Sequence, residues 1–154
     1  MGGDFDHRWT QAREAVEAMK EMWTKDEAEY HGRYYDFPKV RVNPKPAQKP
    51  GPPVFLGGAA TNVFKRVVTY GDGWMPVRAT PEDVRAGRAS LDELADGAGR
   101  DPKSIQILIY GASSRYEIKQ MEDAGADMAT VRLPSTAPSE VMNGLEQLAE
   151  EMLG

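Results

Sequence analysis

The chain contains no cysteine and only two histidines. It also lacks any apolar run near the roughly 20 residues that a bilayer-spanning helix needs. Without cysteine there are no disulfides and no thiolate metal sites. His7 and His31 stand far apart among scattered carboxylates, with no metal-ligand spacing. Basic residues are in deficit: 19 Lys and Arg against 24 Asp and Glu give a net charge of −5, and the pI is near 5.1. No Lys/Arg cluster supplies the basic face that a phosphate backbone calls for, so neither a nucleic-acid nor a membrane partner is expected. Nucleophile elbow, Walker A loop and dinucleotide glycine fingerprint are all missing. The opening "MGGDFDHRW" has neither the basic nor the apolar region of a signal peptide, and the expected location is the cytoplasm.

What is present suits a globular α/β protein. With 154 residues, 40% hydrophobic and 28% charged, and a mean hydropathy of −0.58, a single domain over 1–154 is expected. From Arg8 to Thr24, Trp9, Ala12, Val16, Met19 and Trp23 form one apolar stripe, predicting an amphipathic helix. "AEYHGRYYDF" reads as a small β-hairpin turning at His31-Gly32, and "VNPKPAQKPGPPV" as an extended, proline-punctuated connector. Strand and helix then alternate four times. The strands are Val54–Leu56, a second ending at Trp74-Met75, Ser104–Tyr110 and "MATVRLP" from Met128. The helices are marked by Val63, Phe64, Val67 and Val68; by Thr80-Pro81-Glu82-Asp83, ending at Gly97 or Gly99; by the capping-box spacing Ser114 to Glu117, closing near Gly125; and by Val141, Leu145, Leu148 and Met152 between Ser139 and Leu153. Such alternation predicts right-handed βαβ units and a parallel sheet, and four units make half of a (β/α)₈ barrel.

Between the first of these strands and its helix lies the glycine pair Gly57-Gly58, followed by Ala59, Ala60 and Thr61. The first N–H groups of a helix have no intrahelical partner and sit at the positive end of its dipole, and glycine lets an anion approach with no Cβ in the way. A tight turn is the plainer reading of the same residues.

Three blocks carry a resemblance. "RWTQAREAVEAMKEMWTKDEAEYHGRYYDF", "NPKPAQKPGPPVFLGG" and "YGDGWMP", in this order and at these separations, closely resemble the carboxy-terminal half of the luciferase-like monooxygenase family, its F420-dependent oxidoreductase branch in particular. The resemblance implies a barrel that binds FMN or coenzyme F420 at the carboxyl ends of its strands. It also implies that 57–61 wraps the cofactor phosphate, and that flavin-dependent hydride transfer or oxygen insertion is the chemistry. The family's first four strands, with most of its acid/base groups, are not part of this sequence. A non-catalytic half-barrel that binds a phosphate-bearing ligand is therefore the alternative.

Barrel ligands meet the loops that follow strands, whereas loops after helices lie on the stabilising face. On that rule His31 and its tyrosines are structural, and the ligand side comprises 57–61, Pro76 to Ala79, Gly111 to Ser114, and Pro134 to Thr136. Arg78 is a cation there for a phosphate or an acidic tail. Strand alternation turns Thr130 and Arg132 into the barrel, where the guanidinium needs an anionic ligand or an internal ion pair. Trp74 is expected either to line a flavin-type pocket or to join the core. Two open sheet edges and an inward face carrying Leu108 and Tyr110 predict a homodimer.

Overall fold

The computed structural model describes residues 5–60, 62–133, 135 and 137–153. The expectations placed on Thr61, Pro134 and Thr136 lie outside the described residues. Two compact units divide the chain, Met1–Val54 and Phe55–Gly154.

In the first unit, helix α1 (Arg8–Thr24) accompanies an antiparallel hairpin of β1 (Ala28–His31) and β2 (Asp36–Val40). The buried face of α1 departs from the stripe read in the sequence. Glu14, Val16 and Ala18 are buried, while Met19 is 37% exposed. The reason is the hairpin turn. The Glu14 carboxylate, only 6% exposed, accepts the Tyr34 N–H at 2.7 Å, and this backbone donor is the main cause holding its pKa below the ordinary glutamate range. A carboxylate can be buried here because the turn N–H groups satisfy it. Tyr30 donates its hydroxyl to Glu17 at 2.6 Å, and burial, followed by that bond, pushes the phenol up to about 12.

The second unit is one sheet of four parallel strands in the order β3 (Phe55–Gly57), β4 (Gly73–Met75), β5 (Gln106–Ala112), β6 (Met128–Val131). Helices α2 (Val63–Tyr70), α3 (Pro81–Gly97), α4 (Arg115–Asp123) and α5 (Pro138–Leu153) follow the strands in turn. Val63, Val67, Val84, Leu91, Ala95, Ile105, Ile107, Ile109 and Met121 form the buried layer between sheet and helices. Each large apolar side chain in it contributes about 1.5–3 kcal/mol.

Local chemistry explains the ends. Thr80 and Asp83 form a reciprocal capping box with Pro81 at the first helical position. Gly99, at φ +68, closes α3: its N–H reaches Asp96 O, and the Arg100 N–H reaches Ala95 O, the paired bonds of a Schellman ending. At α4 the Ser114 hydroxyl accepts the Glu117 N–H as expected. The return arm differs, because the Glu117 carboxylate takes the N–H and hydroxyl of Ser113, one residue earlier. None of the described side chains of α5 is buried.

Two strands differ from expectation. β5 runs on to Ala112 through a register shift against β6, which pairs Ile109 with Ala129 and Ala112 with Val131. Gly111 absorbs the extra residue at φ +74. β6 stops at Val131, so Arg132 and Leu133 belong to the loop that follows.

Candidate functional site

The carboxyl ends of β3 to β6 gather the candidate residues of the second unit. β3 ends at Gly57, paired with Met75. Gly58 then leaves the sheet at φ +112, and a Cβ built on it would meet nothing within 4 Å among the described residues. The chain enters α2 through Asn62, whose side chain makes no capping bond, and the Val63 N–H is turned back to Ala60 O at 2.8 Å. An L side chain at Gly58 would be strained by the backbone and would fill the open approach to the helix. The glycine is thus required by conformation, and the space it leaves faces outward.

Trp74 does not point into the barrel. Leu56, paired with Trp74, and Ile107, paired with it on the other side, share its helix-facing orientation. The indole is 3% exposed and meets the Phe64 ring edge-on, with centroids 4.9 Å apart. Its Nε1–H donates to the Gly58 carbonyl at 2.8 Å. It belongs to the core cluster and also borders a cavity.

Phe64, Trp74 and Ala59 border a cavity of about 300 Å³ together with Arg78, Ala86 and Ser90. Arg78 sits at φ 56, the left-handed region that a non-glycine residue occupies only under constraint. Its neighbour in the cavity wall, Asp83, is committed to the Thr80 N–H and hydroxyl, which hold its carboxyl below the usual range. Glu117 is likewise lowered, first by the Ser113 hydroxyl and then by its N–H.

Arg132 is exposed, and its guanidinium lies over Gly111, within 3.7 Å of where a Cβ would stand. The Gly111 N–H donates to Thr130 Oγ1 at 3.0 Å. The internal ion pair considered for Arg132 is not found among the described residues; the same holds for Arg78. His31 pairs with Asp36 across the hairpin at 2.7 Å, exposed, in the first unit.

Sequence reasoning missed the bond from Trp74 to Gly58 and the bulge at Gly111. The second had a signal, a lone glycine near the end of an isoleucine-alternating strand. The first had none, because it joins residues 16 apart through a side chain. No group of three or more potential metal ligands occurs among the described residues, and no helix there is long and apolar enough to cross a membrane.

The sequence profile of the luciferase-like monooxygenases matches residues 1–144. An uncharacterized protein of Mycobacterium tuberculosis is 28% identical over 99% of this chain, which spans 55% of that relative. The FMNH2-dependent dimethylsulfone monooxygenase of Pseudomonas putida is 34% identical over 94 residues, 56% of this chain and 26% of its own length. Among solved structures, the coenzyme F420-dependent tetrahydromethanopterin reductase of Methanopyrus kandleri superposes with a TM-score of 0.74 at 15% identity, covering 94% of this chain and 62% of the other. That likeness supports the partial barrel seen in the parallel sheet. The chain spans about half the length of the first of these relatives.

Proposed function

The chain belongs to the luciferase-like monooxygenase family, and from that premise we propose that it supplies the cofactor-phosphate half of a flavin- or F420-dependent oxidoreductase. Gly57, Gly58, Ala59, Ala60 and Thr61 form the phosphate loop. Arg78, which borders the same cavity as Ala59, is the cation for the cofactor phosphate, and Arg132, after β6, is a separate cation for a substrate or another anion. The observation that carries this reading is Gly58, held at positive φ with open space where a side chain would stand, at the mouth of an uncapped helix. These residues fit a phosphate monoester or diester. They offer backbone donors and guanidinium groups that have no partner among the described residues, and the nearby carboxylates of Asp83 and Glu117 are bonded elsewhere.

Bound FMN or coenzyme F420 would supply two-electron chemistry that no side chain here can perform. The residues of this chain bind and orient: the loop fixes the phosphate end, and Arg78 balances its charge. Because relatives carry about as much sequence again, the reaction itself is proposed for a barrel with its other four strands present.

A second reading, a non-catalytic half-barrel stable as a homodimer, is favoured by the inward face. There Tyr110 is 59% and Met128 48% exposed, and the outer edges of β3 and β6 have no strand partner among the described residues. A two-fold axis would set β6 of one copy beside β3 of the other.

Titration of the chain with FMN and with coenzyme F420, followed by absorbance and calorimetry, tests the proposal. Saturable binding is expected, weakened about tenfold by Arg78→Gly, which removes one charged contact to the anion. No binding by wild type up to millimolar ligand would sink the cofactor reading. Sedimentation at micromolar concentration tests the dimer, and a clean monomer mass ends it.

A further inference from the structure

Trp74 owns a buried donor that the proposed chemistry does not use. Its indole N–H is the donor of that ring and has no acceptor capacity. The ring is fixed on two sides. Phe64 meets it edge-on, and on α3 the six-membered ring occupies the space where a Cβ of Gly87 would stand. The N–H is thereby aimed at one atom, the Gly58 carbonyl oxygen, 2.8 Å away. The β3–β4 ladder ends one residue earlier, at Gly57 with Met75. A tryptophan side chain therefore holds the first residue that leaves the sheet.

The consequence follows from peptide geometry. The Gly58–Ala59 bond is not among the cis bonds of the chain, and in a planar trans peptide the C=O and the following N–H point in opposite directions. With the Gly58 carbonyl turned toward the helix layer, the Ala59 N–H is turned away from it. That N–H has no partner among the described residues, and Ala59 is exposed. We infer that Trp74 is a positioning residue that, through the Gly58 carbonyl, aims the Ala59 N–H at the anion of the ligand. This rests on the reading of 57–61 as a phosphate loop and assigns the loop's orientation to a side chain outside it.

The experiment replaces Trp74 by its benzothiophene isostere, incorporated at that one position, which keeps the ring shape and removes the N–H. Trp74→Phe serves as the encodable companion. Inorganic phosphate and FMN are the probes, and amide NMR and melting temperature are the readouts. In wild type, the Ala59 amide and the Trp74 indole N–H resonances are expected to move together on adding either probe. In the isostere the Ala59 amide exchanges faster without ligand, and affinity falls about tenfold, the equivalent of one lost hydrogen bond. The melting temperature changes little, because the packing is kept. An isostere that binds like wild type, with Ala59 exchange unchanged, would overturn the role of Trp74 while leaving the phosphate loop in place. A wild-type Ala59 amide that responds to neither probe would overturn both.

Discussion

The two ends of the parallel sheet are built on opposite principles. At the amino ends of the strands, arginines are consumed by structure. Arg88 donates to Ile105 O at 2.9 Å, to Gly125 O at 3.3 Å and to Asp127 at 2.5 Å, and that same carboxylate oxygen takes the Ile107 N–H at 2.7 Å. Arg100 covers the carbonyls of Val67, Val68 and Gly71 at the end of α2, the place where a cation best complements the helix dipole. At the carboxyl ends, Arg78 and Arg132 have no partner among the described residues. Positive φ occurs at both ends, at Gly58, Arg78 and Gly111 here and at Gly99 and Gly125 on the tied side, so the two ends differ in their cations and not in their backbone. One end ties strands to helices; the other leaves donors and charge available. Constraint at the first end is what allows the second to stay open.

The largest effect should come from breaking the tied end. Arg88→Ala leaves carbonyls at Ile105 and Gly125 short of a donor and Asp127 without its cation. Loss of stability of about 2–4 kcal/mol in urea unfolding is expected, with ligand affinity unchanged. A loss below about 0.5 kcal/mol would show that the staple is ornamental. Arg100→Ala removes one guanidinium from three carbonyls and should cost about 1–2 kcal/mol by the same measurement, again with no change in binding.

The open end should respond the other way. Gly58→Ala costs about 1 kcal/mol for its positive φ and lowers affinity for FMN or coenzyme F420 about tenfold. Gly99→Ala, at φ +68 with equally open surroundings, is the control: a similar stability loss with affinity intact. If calorimetry finds both variants binding like wild type, Gly58 has only a turn to make.

The smallest effect concerns pH. Asp83 and Glu117 are both depressed in the folded state, by Thr80 and by Ser113. Their stabilising contribution is therefore present above the ordinary carboxylate pKa of about 4 and is lost as pH falls through the depressed values. Urea midpoints measured from about pH 5 to pH 3 should decline less steeply in Thr80→Ala and Ser113→Ala than in wild type. Equal slopes would show that these bonds do not couple to titration.

Much of the architecture was legible because it is written in short-range chemistry. Thr80-Pro81-Glu82-Asp83 announces a helix start, Ser114 to Glu117 another, and the valines of α2 fall at helical spacing on its buried side. Glu14 was not legible. Nothing in the α1 stripe reveals that turn N–H groups 20 residues on will satisfy a buried carboxylate at Glu14. Arg132 was placed by extending strand alternation past Val131, but the strand ends there and the bulge at Gly111 shifts the register beside it. Alternation is a property of regular pairing and carries no information beyond the last paired residue.

By itself, the sequence determined the order of elements, the parallel βα alternation and the family. Each of these depends on residues within a few positions of one another or on a long ordered pattern. Only the tertiary structure decided which cations are spent on holding strands and which have no partner among the described residues, and which way Trp74 faces. Those outcomes depend on donors and acceptors brought together from distant segments: Arg88 with Gly125 and Asp127, Arg100 with α2, the indole with Gly58. A hydrogen bond acts over about 3 Å, so its partners are known only once the chain has brought them that close.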